Sequence, residues 1–280
     1  FAHLGVVRAL EEAGVPVDIA GGASVGSMVA ALCGLDEDHE GRLAHMTRGL
    51  AVGGLFRPTL PLVSLTSSKR ITRMLRAPEN LGDRAIEDFW IPWHCVSTNL
   101  SRGTAVVHDH GPAWHAVRSS IALPGLLPPV QDHGDLLVDG GVLNNLPVDA
   151  MRARLDGRIV AIDLEPPVDL RYEDAFDPTV SGWGILRSKL NPFRRAPRIP
   201  NLVQIVLRAK QVGGVHAQRW VMAEHAVDVY LQPPIGDFGA LNFKAGPGLV
   251  DAAYRYTLEQ LEAGALSALL RPSPRPASAP

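Results

Sequence analysis

Gly21–Leu32 reads GGASVGSMVAAL, and the rest of the chain is parsed outward from it. Ser24 stands between Gly22 and Gly26. The run before it, VDIAGGAS (17–24), suits a short buried strand, and SVGSMVAALCGL (24–35) suits a helix of small, closely packed residues. Strand, tight turn with a serine, helix is the setting of a nucleophile elbow, in which a strained bend pushes the hydroxyl out of the sheet edge. Side chains at either flanking glycine are expected to collide with the adjoining strand and helix. The helix start would also aim amide N–H groups at a developing oxyanion. The pattern alone leaves two readings open: a catalytic Ser24, or a glycine turn that contains a serine. Two phosphate-binding readings fail. Gly26 is followed by Ser27 and Met28 rather than the lysine of a P-loop, and Ala23 stands where a dinucleotide fingerprint starting at Gly21 needs glycine.

Around this stretch, HLGVVRALEEAG has Leu4, Val7 and Leu10 at helical spacing and is stopped by Gly14 and Pro16. HCVSTNL and TAVVHD read as two strands joined at Arg102-Gly103, and AVRSSIALPGLLPPV as a helix ended by Pro124-Gly125. DLLVDGGVLNNLPVDAMRARL gives strand, glycine turn and helix, and RIVAIDLEP a buried strand. Residues 201–225 and 246–270 read as long helices with the strand VDVYLQP between them. Alternating strands and helices argue an α/β fold with a largely parallel sheet.

Composition bounds the function. The 280 residues are 46% hydrophobic and 20% charged with a net charge of −2, which suits a globular core and gives no footprint for nucleic acid. Cys33 and Cys95 form neither a disulfide framework nor a metal-ligand spacing and read as reduced core thiols, suiting a cytoplasmic setting. The longest uncharged run, around 19–35, is too short and too rich in Gly, Ala and Ser for a membrane span.

A serine hydroxyl needs a base. His216 and His225 fall in the long helix, while His94, His108, His110, His115 and His133 read as surface or packing residues. The better candidate is Asp139 in LLVDGGVLNNLP, which closes a buried strand and opens into Gly140-Gly141, where sheet-edge sites collect. An aspartate capping the turn is the competing reading, and the residues alone leave both open.

GGASVGSMVAAL together with DGGVLNNLPVDAM resembles the patatin-like phospholipase family, which uses a Ser–Asp dyad without histidine. FAHLGVVRALEEAGVPVDIAGGASVGS, IPWHCVSTNLSRGTAVV and AVRSSIALPGLLPPV resemble further blocks, and VSGWGILRSKLNPF (180–193) is similar to the neuropathy target esterase-like branch. The resemblance implies a three-layer α/β/α fold with a mostly parallel central sheet over residues 1–270, followed by a disordered proline-rich tail, 271–280. It implies Ser24 as nucleophile, Asp139 as base, the Val25 amide as oxyanion donor, Gly22 and Gly26 as elbow residues, and Gly140 and Gly141 as the motif turn. The family's other oxyanion donors come from a Gly-Gly-Gly-x-Arg-Gly loop before an AHxG helix start, here Ala2-His3-Leu4-Gly5. That loop and the strand leading to it are therefore expected upstream of Phe1, and the chain as given is expected to have little or no activity. The implied reaction is hydrolysis of phospholipid or lysophospholipid esters through an acyl-enzyme, with no metal or cofactor. The alternative is a non-catalytic module of this fold that binds lipid or a partner. The sequence leaves the oligomeric state open. Residues 183–198 mix aromatic, aliphatic and basic side chains and suit either an anionic lipid surface, with the protein peripheral at the membrane, or a packed helix. LFRPTLPLVSLTSS (55–68) reads as a lid or acyl-chain wall, or as an ordinary apolar loop.

Overall fold

Seven consecutive residues, Trp93–Asn99, are all buried and form the strand on which the sheet is assembled. A computed structural model of the chain describes residues 1–51, 56–165, 181, 202–235, 245–266 and 269. The proposed membrane-facing segment 183–198 and the tail 271–280 lie outside these residues.

In chain order, α1 (Ala2–Glu12) leads to β1 (Ala20–Ala23), α2 (Val25–Cys33) and α3 (His39–Ala51). A hairpin of β2 (Arg57–Pro58) and β3 (Thr66–Ser67) precedes α4 (Lys69–Leu75), and β4 (Trp93–Asn99) pairs with β5 (Thr104–His108). α5 (Ala113–Ser120), β6 (Val130–Asp132), β7 (Asp135–Asp139) and α6 (Val148–Arg152) follow. The described chain closes with β8 (Val160–Ile162), α7 (Leu202–Glu224), β9 (Val229–Leu231) and α8 (Gly246–Glu262). This is an α/β fold with helices on both sides of the sheet. β1–β4 and β8–β9 are parallel pairs, and β5, β6 and β7 are joined antiparallel.

The register around β4 places the site. β5 pairs with Cys95–Asn99, so the two strands that overlap this stretch must both lie on the opposite edge of β4. They are β1, whose Ala23 faces Val96, and β7, whose Asp139 faces Ser97. β1 runs with β4 and β7 against it, so the two share one edge and meet end to end. The residue after β1 therefore abuts the last residue of β7.

Packing explains the helices. α1 buries Leu4, Val7 and Leu10, keeps the Arg8–Glu12 pair outside, and gives way to Gly14 at φ 74°. One core joins α2, α4 and α5 to Trp93 and Cys95 of β4; another joins α1 and α8 to Val229 and Leu231 of β9. Two helices end earlier than their sequence suggests. α5 stops at Ser120 because Pro124 has no N–H to give the Ser120 carbonyl, and the carbonyl of Ala122 beyond it accepts the Asp139 N–H at 3.0 Å. α8 stops at Glu262, and Gly264 at φ 74° turns the chain away. Both cysteines are free and buried, with burial pushing the Cys33 thiol up to about 11 and that of Cys95 higher still.

Candidate active site

Ser24 caps α2 with φ 54° and ψ −127°, a conformation dominated by glycine. Three contacts hold it there. Its N–H donates to Ser120 Oγ at 3.0 Å, its carbonyl accepts from Ser27 Oγ at 2.6 Å, and its own Oγ donates to Asp139 Oδ2 at 2.6 Å. A Cβ on Gly22 would come within 2.4 Å of the Gly26 backbone, so the bend demands glycine there. Gly26 differs from the expectation: a Cβ would meet nothing nearer than His3 Nε2, at 3.9 Å. The crowding lies between the two glycines and is relieved by the first alone.

Asp139 is fully buried and held on every side. Its Oδ1 accepts the Gly141 N–H at 2.8 Å and pairs with Lys210 Nζ at 3.1 Å, leaving Oδ2 for Ser24. The aspartate thus caps the Gly140–Val142 turn and receives the serine hydroxyl at once, so the two sequence readings of Asp139 are compatible. Gly140 and Gly141 make room for this turn. A Cβ on the first would lie 2.2 Å from the Val96 carbonyl oxygen, and one on the second 2.6 Å from Lys210 Nζ. Val25 is the first residue of α2, so its N–H has no acceptor within the helix, and its side chain is 38% exposed at the mouth of the site.

Lys210 and Ser120 were not legible as site residues. A lysine within a long helix reads as solvated, yet α7 lays this one against Asp139. Two turns on, Gln218 Nε2 donates to Asp163 Oδ2 at 2.8 Å, and Tyr230 OH donates to the same oxygen at 2.6 Å. α7 therefore ties β7 to the β8–β9 pair. Burial, opposed by Lys210, raises the Glu165 carboxyl above its ordinary range just past β8.

His94, His108, His110 and His133 lie in the core or on the surface, as the sequence suggests, whereas His225 follows the end of α7 at Glu224 rather than lying within it. His94 is fully buried with its ring against Gly21, and His108 accepts or donates at 2.7 Å to Ser97 Oγ. Burial lowers both to about 4. His110 and His133 are exposed. His3, in the first turn of α1, is lowered to about 3 by burial, and its Nδ1 has no partner among the described residues.

Behind the elbow lies a cavity of about 220 Å³. Its walls are the edge of β1 that β4 leaves free, the facing edge of β8, His3 and Gly26. No residue of 56–68 lines it, so that segment is not its wall.

Comparison with known proteins gives the chain's kinship. The family model of patatin-like phospholipases matches residues 1–152, which include α1, the elbow and Asp139. The chain is 36% identical over 261 residues to a lysophospholipase of Kluyveromyces lactis, covering 91% of this chain and 18% of the relative. It is 37% identical over 253 residues to the lysophospholipase of Saccharomyces cerevisiae, covering 87% and 14%, and 36% identical over 273 residues to that of Pyricularia oryzae, covering 94% and 18%. The chain thus spans less than a fifth of the length of these curated relatives. A family match over more than half of the chain, ending just past the aspartate that meets Ser24, settles its kinship: the chain belongs to the patatin-like phospholipase family.

Proposed function

We propose that the protein is a lipid acyl hydrolase in which Ser24 is the nucleophile and Asp139 its base. The observation that carries this reading is the 2.6 Å hydrogen bond from Ser24 Oγ to Asp139 Oδ2, made at a strained elbow by a carboxylate whose other oxygen is fully engaged. Asp139 takes the hydroxyl proton as Oγ attacks the ester carbonyl. The tetrahedral oxyanion is met by the Val25 N–H at the start of α2. When the intermediate collapses, the leaving alcohol takes the proton from Asp139 and an acyl-serine remains. Water then loses a proton to Asp139, attacks the acyl carbon and frees the fatty acid, and the proton returns to Ser24 Oγ. The relatives named lysophospholipases support a lysophospholipid substrate.

The cavity supports placing one more strand between β1 and β8, where the family's glycine-rich loop would add oxyanion donors beside Gly26. A non-catalytic lipid-binding role would need no strain at Ser24 and no hydrogen bond to a base, and both are present. Fatty-acid release from lysophosphatidylcholine by the full-length protein tests the proposal. Ser24→Ala and Asp139→Asn are expected to lower it by about 10⁴-fold or more while leaving the fold intact. Release unchanged in either variant overturns the dyad.

A further inference from the structure

The hairpin β2–β3 ends in a tip that water does not explain. Leu60, Leu62 and Val63 are 73%, 83% and 69% exposed, with the exposed Pro61 between them. Scattered exposed leucines are normal, but three large apolar side chains within four residues form a patch. The tip is preformed. Thr59 N donates to Leu65 O at 3.1 Å, Leu62 N turns back on Leu60 O at 2.8 Å, and the buried Ser64 donates to Thr66 O at 2.8 Å.

Its base is tied to the dyad. Leu65 N donates to Gly125 O at 2.8 Å, and Thr66 gives both its N–H and its hydroxyl to Leu126 O. The same loop starts at Ala122, which accepts the Asp139 N–H. Ser64 alone thus separates Val63 from the anchor at Leu65, and Leu123 and Pro124 separate Gly125 from Ala122, the residue bonded to Asp139.

Charge identifies the occupant. Residues 41–78 contain seven lysines or arginines and no aspartate or glutamate, in a chain whose net charge is −2. Within this stretch Arg57, beside the tip, and Lys69 and Arg73, on the helix that follows it, are exposed. An apolar knob within a cationic field matches a bilayer surface bearing anionic lipids: the knob enters the acyl boundary while the cations meet the headgroups. No helix among the described residues is long and apolar enough to cross a membrane.

We propose that Leu60, Leu62 and Val63 insert into an anionic bilayer surface and set the dyad at the interface from which it draws substrate. The substrate clause rests on the hydrolase reading; the membrane contact does not. Flotation with phosphatidylcholine vesicles, with and without phosphatidylserine, tests it. Leu60→Ser/Leu62→Ser/Val63→Ser is expected to weaken binding by about 100-fold. Arg57→Gln/Lys69→Gln/Arg73→Gln is expected to weaken binding by about 100-fold on phosphatidylserine vesicles and little on phosphatidylcholine alone. Both variants should melt as the parent does and turn over a water-soluble short-chain ester at the parent rate. Unchanged flotation of the serine variant overturns the proposal, as does a serine variant that loses its fold along with binding. So does a concentration-dependent self-association that the serine variant abolishes while vesicle binding persists, since the patch would then join two copies. Tip-dependent flotation without any ester turnover by the full-length parent upholds the surface contact and refutes the hydrolase.

Discussion

Replacing Ser24 by glycine should give a more stable protein than replacing it by alanine, while both remove the proposed nucleophile. With φ 54° and ψ −127°, Ser24 sits in backbone space that costs a non-glycine residue about 1–3 kcal/mol. Glycine pays no such cost, but it gives the unfolded chain more freedom, worth about 0.5–1 kcal/mol in the other direction. The proper reference is Ser24→Ala, which keeps the strain and, like the glycine variant, loses the hydrogen bond to Asp139. Ser24→Gly should therefore be more stable than Ser24→Ala by about 1 kcal/mol, or about 2–4 °C in melting temperature for a chain of this size. Calorimetry or dye-monitored melting of both variants measures the gap, and an ester assay checks that both are inactive. Equal stabilities, or a less stable glycine variant, would show that the bend stores no strain and would remove the physical ground for calling it an elbow.

The clamp on Asp139 and the buried histidines give two more predictions. Lys210→Met removes the cation 3.1 Å from a fully buried carboxylate and should cost about 3 kcal/mol of stability. The same substitution made on Asp139→Asn should cost much less, because the charge that needed a partner has gone; denaturant melts of the four proteins complete the cycle, and additive losses would mean that Lys210 does not hold Asp139. Acid should unfold the protein in a narrow window. His3, His94 and His108 have folded values of about 3, 4 and 4 against about 6.5 unfolded, so near pH 5 the unfolded chain binds about three more protons. Their contribution is intact above pH 6.5 and falls by about 4 kcal/mol per pH unit as pH drops toward 4. Melting temperatures that stay flat between pH 6.5 and 4.5 would contradict the burial of these rings.

The elbow and the aspartate were legible because each is a local pattern with a local cause. A glycine, a serine and a small-residue helix after a strand describe one bend, and Asp-Gly-Gly describes another. Their meeting was not local. It follows from β1 and β7 sharing one edge of β4, a matter of register that no window of sequence contains. β4 itself illustrates the difficulty, since HCVSTN carries polar residues at positions that the sheet buries completely. Ser120 and Lys210 stayed hidden for a related reason: a serine near a helix end and a lysine within a helix have ordinary uses, and only tertiary packing brings them to Ser24 and Asp139. The glycine argument was half right because it treated the two flanks of the serine alike, while the fold crowds one and leaves the other open.

That asymmetry bears on the chemistry. The base side of Ser24 is overdetermined: Asp139 is fixed by Gly141, Lys210 and the strand it ends, and Ser120 and Ser27 fix the serine backbone. A carbonyl attacked by Oγ cannot approach through the carboxylate, so its oxygen must point away from Asp139, toward the start of α2. On that side the structure has the Val25 N–H, the open space beside Gly26, and His3. Loss of one oxyanion donor typically costs a factor of about 10²–10³, so a single amide is a weak provision for ester hydrolysis. β1 and β8 both line the cavity, and among the described residues neither has a hydrogen-bonding strand on that edge. A strand placed there would complete both ladders and deliver the loop at its end to the open face of the elbow. On this proposal, the cavity and the missing oxyanion donors are one requirement met by one segment.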